Sequence, residues 1–157
     1  MSERNVSRYV PADTGPSFWW PGDRYTFLVT GAQSDGAYFI MEAIVPPAGG
    51  PPPHIHHREQ ESFYVLEGML DIKMNDRVVQ AKPGDFVHIP RGTVHAFRNS
   101  GTESARLLLI FSPGGMERFF EETLEQVQDR STPQPDNMDT VVARYLEAAP
   151  RHGLEFV

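Results

Sequence analysis

The chain has 157 residues, 39% hydrophobic and 22% charged, a balance that fits one globular domain with its own core. Its 21 acidic and 14 basic residues leave a formal charge of −7 with no basic stripe, which repels phosphate backbones and excludes nucleic acid as a partner. There is no cysteine, so disulfides, thiolate nucleophiles and sulfur ligands are all absent, and any metal must be held by nitrogen and oxygen.

Residues 1–24 read as an arm of polar and turn-forming residues broken by Phe18, Trp19 and Trp20. Three aromatics are seldom left in water, so they are expected to pack on the domain or on a second subunit. The opening MSERNVSRYV lacks the apolar stretch of a signal peptide, and the longest apolar run, Leu107–Phe111, is too short to span a bilayer. A cytoplasmic protein with no membrane partner is expected.

Residues 25–112 read as a β-domain. YTFLVTG, AYFIMEAIV, ESFYVLEG, MLDIKM, RVVQA, DFVHIP, HAFRN and ARLLLIF are short and mostly separated by Gly, Pro, Asn or Asp. Many short strands with no helical period between them predict a sandwich or barrel. Asn75-Asp76 fits a tight hairpin turn. AYFIMEAIV is apolar on both faces, Phe39–Met41–Ala43–Val45 and Tyr38–Ile40–Glu42–Ile44, so both faces are expected to be covered.

Residues 113–157 change period. Met116, Phe119, Phe120, Leu124 and Val127 recur at helical spacing, as do Met138, Val141, Val142, Tyr145, Leu146 and Ala149. The second helix has Asp136 or Asn137 as N-cap and Pro150 as its stop. Both stripes are expected to pack helices on the outside of the β-domain. In the tail, Leu154 and Phe156 alternate and suggest an extended piece returning to the barrel.

The chemistry concentrates in HIHHREQE, residues 54–61. If the run is extended, His54 and His56 share a face, about 6.6 Å apart, and their rings can converge on one ion. His57 points the other way, to the rim. Glu61 opens the next strand on the face of Phe63 and Val65, whereas Glu59 falls in the turn, where a carboxylate is expected in water. A fourth donor is available in GDFVHIPRGTVHAFRN. His95 follows Pro90 and Gly92, which make a turn and start a new strand, while His88 sits mid-strand and reads as satisfied or exposed.

At this point the chain resembles the cupins, whose two motifs are G-x5-H-x-H-x(3,4)-E-x6-G and G-x5-P-x-G-x2-H-x3-N. Gly84, Pro90, Gly92, His95 and Asn99 meet the second in full. His54, His56, Glu61 and Gly68 meet the first, except that Gly49 or Gly50 lies one or two residues too close to serve as its leading glycine. The resemblance implies an all-β fold with C-terminal helices, a double-stranded β-helix (jelly-roll) barrel. It also implies that His54, His56, Glu61 and His95 converge on one divalent ion per chain, whether Fe, Mn, Ni, Co, Cu or Zn.

The stretch GGPPPHIHHREQESFYVLEG and the PGGMERFFEE helix are most similar to single-domain quercetin 2,3-dioxygenase-type cupins. That likeness implies a metal-dependent dioxygenase acting with O2 on a small phenolic or flavonol-like substrate, with Glu61 as both ligand and catalytic base. Phe63, Val65 and Phe97 fall in phase with the ligands. Phe39 and Met41, or Tyr38 and Ile40, join them according to which face turns inward. The substrate pocket is assigned to Phe39, Met41, Phe63, Val65 and Phe97. A non-oxygenase cupin enzyme (isomerase or lyase) and a non-catalytic small-molecule binder are the alternatives. Because cupins pair through outer strands, a homodimer is expected.

Overall fold

The computed structural model describes residues 6–157, so the first five residues of the expected arm lie outside it. Twelve strands form two antiparallel sheets among these residues. They are β1 (Ser17–Trp19), β2 (Arg24–Val29), β3 (Phe39–Val45), β4 (His54–His56), β5 (Gln60–Glu67), β6 (Leu70–Met74), β7 (Arg77–Ala81), β8 (Phe86–Ile89), β9 (His95–Arg98), β10 (Ala105–Ser112), β11 (Glu125–Gln126) and β12 (Leu154–Phe156). The helices are α1 (Glu117–Thr123) and α2 (Met138–Ala148), and a 3₁₀ turn spans Ala149–His152. One sheet runs β11-β1-β2-β3-β10-β5-β8 and the other β12-β4-β9-β6-β7. The two face each other across the core as a jelly roll.

Alternation builds that core. Phe39, Met41, Ala43 and Val45 of β3 are buried, as are Ala105, Leu107, Leu109 and Phe111 of β10 and Phe63 and Val65 of β5. The inward face of β3 is therefore the Phe39–Met41 face. Its outer face is only half covered within the chain: Ile40 and Ile44 are half-buried and Tyr38 is exposed. Complete burial of an aromatic or large aliphatic side chain contributes about 1.5–3 kcal/mol, so the aromatic cluster Phe27, Phe39, Phe111 and Phe120 carries much of the stability. The Asn75-Asp76 turn joins β6 to β7 as a two-residue loop, with Asn75 at φ 51°.

The aromatics of the arm pack on their own chain. Phe18 stacks on Phe27 at 4.7 Å between ring centres and Trp20 on Tyr145 at 4.6 Å. Trp20 thereby ties the hairpin of β1 and β2 to α2.

Three features of the C-terminal segment differ from the sequence expectation. The first helix is shorter: it stops after Thr123, and Leu124 turns to an extended conformation. Glu125–Gln126 then pair with β1, and the Val127 N–H donates to the Ser17 carbonyl at 2.7 Å. Bonds to the sheet edge replace further helical turns. The buried stripe of α2 is also narrower, being Val141, Tyr145 and Ala148, with Met138 and Leu146 exposed. Pro150 marks the end of α2 as expected, since the helix stops at Ala148, and the chain turns on through a 3₁₀ segment. The proline sits in the first turn of that segment, where its missing N–H costs nothing, and Gly153 at φ 66° ends the segment. Asn137 holds the N-cap position of α2, but its side chain donates to Glu125 instead of capping.

Beyond Gly153 the tail does return to the barrel, as β12, which pairs with β4. None of the helices of the described residues is long and apolar enough to cross a membrane.

Candidate metal centre

Three strands deliver the four side chains singled out in the sequence. His54 and His56 lie on β4, Glu61 on β5 and His95 at the start of β9, directly opposite His54. The turn before β9 is bonded to β4, since the Gly92 N–H donates to the His56 carbonyl at 3.0 Å. Gly92 takes φ 80°, a left-handed conformation that glycine adopts without strain.

Gly50 anchors the other side. It sits at φ 128° with its α-carbon against β9, where an added Cβ would lie 2.0 Å from the Phe97 carbonyl oxygen. Asn99 closes β9: its Nδ2 donates to the carbonyls of Val45 and Glu103 and its Oδ1 accepts from Gly101. The second motif's asparagine and the glycines near the first are thus the scaffold that holds the histidines.

The four residues are buried, and one donor atom from each lies within 4.8 Å of the others. Glu61 Oε2 is 2.7 Å from His95 Nε2 and 3.1 Å from His56 Nε2. Ligand atoms at about 2.1 Å from one ion, at right angles, stand about 3 Å apart, so this spacing fits a shared divalent cation. The donor chemistry fits as well. Three imidazoles and one carboxylate suit Fe, Mn, Co, Ni, Cu or Zn alike and leave coordination places open.

Electrostatics pull the group together. Burial pushes the Glu61 carboxyl up, but the charges and hydrogen bonds of His56 and His95 outweigh it and hold it well below the usual carboxylate range. Burial, followed by the charges of His95 and His56, lowers His54 to about 3. Burial also lowers His95, but the hydrogen bond and charge of Glu61 carry it above the ordinary imidazole value.

The remaining candidates fall outside this cluster. His57 is exposed and bonded to Glu155 at 2.8 Å. His88 lies on β8, bonded to Ser62 at 3.1 Å. Glu59, expected in water, is buried, 4% exposed, with Oε2 3.8 Å from His56 Nδ1. The turn between β4 and β5 has only three residues, and this folds Glu59 inward under His56.

A cavity of about 30 Å³ adjoins the cluster, walled by His54, His56 and Glu61 and by a mainly apolar set of side chains. Met41 and Phe97 are on this wall. Phe39, Phe63 and Val65 are fully buried elsewhere in the core. Phe63 packs under Phe97 at 5.5 Å and Phe39 against Phe111 at 5.5 Å. All five lie on inner faces, but depth along the barrel decides which of them meets the cavity. The wall also has members that strand phase does not reveal: Trp20, Tyr25, Phe119, Phe120, Leu154 and Phe156. The aromatic arm, the strand beginning at Tyr25, the amphipathic stripe around Phe119 and the alternating tail were their traces in the sequence, none of which pointed to this cavity.

Known proteins share this barrel. Residues 41–111 match the family described as "Cupin domain". The chain is 30% identical over 100 residues to the quercetin 2,3-dioxygenase of Bacillus subtilis (strain 168), an alignment covering 63% of this chain and 29% of that enzyme. It is 30% identical over 92 residues to the polyketide synthase CurC of Streptomyces cyaneus, covering 59% and 60%. Among solved structures, KdgF from Halomonas sp. superposes with a TM-score of 0.64 at 17% identity, covering 72% of this chain and 98% of that one. Residues 41–111 thus carry the match to the cupin domain, and the chain as a whole has the jelly-roll barrel of the cupins. It spans less than two thirds of the length of either curated relative.

Proposed function

We propose that this protein is a metal-dependent cupin dioxygenase for a small, oxygen-rich aromatic substrate of the flavonol type. The carrying observation is the convergence of His54, His56, Glu61 and His95 on the wall of an aromatic cavity. The likeness to the quercetin 2,3-dioxygenase supports the substrate class. A divalent ion so held would supply Lewis acidity to a chelating pair of substrate oxygens.

The chain's own residues do the rest. His54 and His95 are locked by bonds from Nδ1 to the carbonyls of Pro52 and Thr93, which leaves Nε2 of each for the ion. Glu61 lies beside these nitrogens and accepts the substrate's hydroxyl proton. Trp20, Tyr25 and Phe97 present flat apolar faces that orient a ring and exclude water. A cavity of about 30 Å³ holds a water-sized guest, so a ring-sized substrate requires side chains of the C-terminal wall, Leu154 and Phe156 among them, to swing aside.

Oxygen uptake by cobalt-, iron-, manganese- or nickel-loaded protein over flavonols, catechols and diketones tests the reading. Uptake with flavonol ring opening and carbon monoxide release is expected, and Glu61→Gln should reduce turnover by about 10²–10⁴. Turnover unchanged in Glu61→Gln would remove the base role.

A second reading, a non-oxygenase reaction on a polyketide, is favoured by the likeness to CurC. Product formation without O2 consumption would support it. Saturable binding with neither product nor O2 uptake would make the protein a binding module.

The proposal extends to a homodimer formed through the half-covered outer face of β3, with Tyr38, Ile40 and Ile44. The aromatic arm does not contribute, since Phe18 and Trp20 are buried in their own chain. Light scattering showing a monomer would contradict it.

A further inference from the structure

The geometry points to Glu59 as the positioning residue for His56: its carboxylate accepts a hydrogen bond from His56 Nδ1 and so fixes Nε2 as the nitrogen that faces the ion. This rests on reading the four residues as a metal centre and adds a fifth side chain that does not touch the ion.

Each of the three histidines has to satisfy two ring nitrogens. His54 Nδ1 donates to the Pro52 carbonyl at 2.8 Å and His95 Nδ1 to the Thr93 carbonyl at 2.9 Å. In both cases the acceptor lies two residues earlier, so the backbone itself fixes the ring. His56 lacks such a carbonyl. Its Nδ1 is buried without a hydrogen-bond partner, and the buried acceptor facing it, Glu59 Oε2, is equally without one. The two atoms stand 3.8 Å apart, and each side chain is 5% exposed.

Two unpartnered buried polar atoms that face each other are about 1 Å from a hydrogen bond. An ion closes that gap for a chemical reason. His56 Nε2 lies 3.1 Å from Glu61 Oε2, so without an ion that nitrogen can keep the ring's proton and donate it to the carboxylate. Once the Nε2 lone pair is given to a metal, the proton resides on Nδ1, and Glu59 is the acceptor in reach. A carboxylate behind a ligating imidazole holds the ring's orientation and strengthens the nitrogen as a donor. Of the three histidines, His56 alone has a charged partner there, and so it is the one whose donor strength a single side-chain change can alter.

The test measures cobalt(II) affinity by chelator competition in wild type, Glu59→Gln and Glu59→Ala, and the histidine ring nitrogens of the zinc-loaded protein by NMR. Glu59→Ala is expected to weaken cobalt binding about 10–100-fold. Glu59→Gln, which keeps an acceptor without charge, should fall between it and wild type. In wild type the His56 Nδ1 proton should be slow to exchange and shifted as a strong hydrogen bond. In Glu59→Ala it should lose both marks while the His54 and His95 signals stay in place.

Affinities within twofold across all three proteins, with unchanged His56 signals, would overturn the assignment and leave the metal centre standing. If Glu59→Ala does not fold, Glu59→Gln and the wild-type spectrum still decide: a fast-exchanging His56 Nδ1 proton overturns it. Absence of cobalt binding in wild type would overturn the metal reading, and this inference with it.

Discussion

His95 is held between two acceptors: its Nε2 lies 2.7 Å from Glu61 Oε2 while its Nδ1 donates to the Thr93 carbonyl. A ring bonded to acceptors at both nitrogens carries two protons, in keeping with its raised pKa. A metal needs the Nε2 lone pair, so binding must expel a proton. Metal affinity should therefore rise with pH, by about tenfold per unit below the His95 pKa, and level off above it. Calorimetry in buffers of different ionisation enthalpy should detect about one proton released per ion at about pH 6. A pH-independent affinity from mildly acidic to neutral pH would contradict this ion pair.

Asp23 gives the metal-free fold a pH dependence of its own. It is fully buried and accepts a hydrogen bond from the Tyr25 hydroxyl at 3.2 Å. Burial, partly opposed by that bond and by the Gly50 N–H, pushes its carboxyl up to about 7, from 3.8 in an exposed chain. Between those values the folded state keeps a proton that the unfolded state has lost. The contribution of Asp23 is thus complete below about pH 4 and lost as pH rises through 7, by up to about 1.4 kcal/mol per pH unit. Asp23→Asn cannot ionise and should lack this slope. Urea denaturation at about pH 5, 6.5 and 8 should show the variant gaining on wild type as pH rises; parallel curves would refute it.

Gly50→Ala should be among the most damaging single-methyl substitutions in the barrel. The new Cβ would meet a backbone carbonyl oxygen at 2.0 Å, and φ is 128°. The Gly50 loop and β9 cannot part without displacing Phe97 from the cavity wall. A loss of about 3 kcal/mol or more is expected, read as a fall in Tm. Gly22→Ala, whose Cβ would meet no atom within 4 Å, is the control: although its φ is also positive, at 91°, it should cost clearly less.

Phe156→Ala tests the wall that closes the cavity. The ring packs 5.9 Å from His54 and 4.9 Å from Tyr145, and the side chain is only half-buried. Its removal should cost about 2 kcal/mol, less than a fully buried phenylalanine, and should widen the approach to the cluster. Cobalt should be stripped by a bulky chelator faster than from wild type, with the equilibrium affinity little changed. An unchanged stripping rate would show that guests reach the cluster by another path.

Much of the site was legible in the sequence. His54 and His56 share a face because a strand alternates. Glu61 and His95 were placed by spacing and by the turn residues Pro90 and Gly92. These are local rules, and local rules survive folding when the element is short and regular. Phe39 and Met41 could be identified as an alternating pair, but two apolar faces on one strand carry no sign of which is inward.

Only tertiary structure decided the rest. Glu59 looked like a turn carboxylate in water, and a three-residue connection folded it under His56 instead. Phe63 and Val65 had the right phase but the wrong depth. The helical period after Met116 ran on to Val127, yet the chain left the helix at Leu124 because the edge of β1 offered hydrogen bonds there. The tail's two alternating apolar residues gave a strand, but nothing in them said that it would lie beside His54 and His56. By itself, then, the sequence picked out the His54, His56, Glu61 and His95 cluster and the short strands, because period and spacing act between neighbours along the chain, and its resemblance to the cupins implied the barrel that gathers them. The cavity, its wall of Leu154 and Phe156, and the approach of Glu59 to His56 join residues far apart or in unusual turns, and their energies exist only once the sheets have closed.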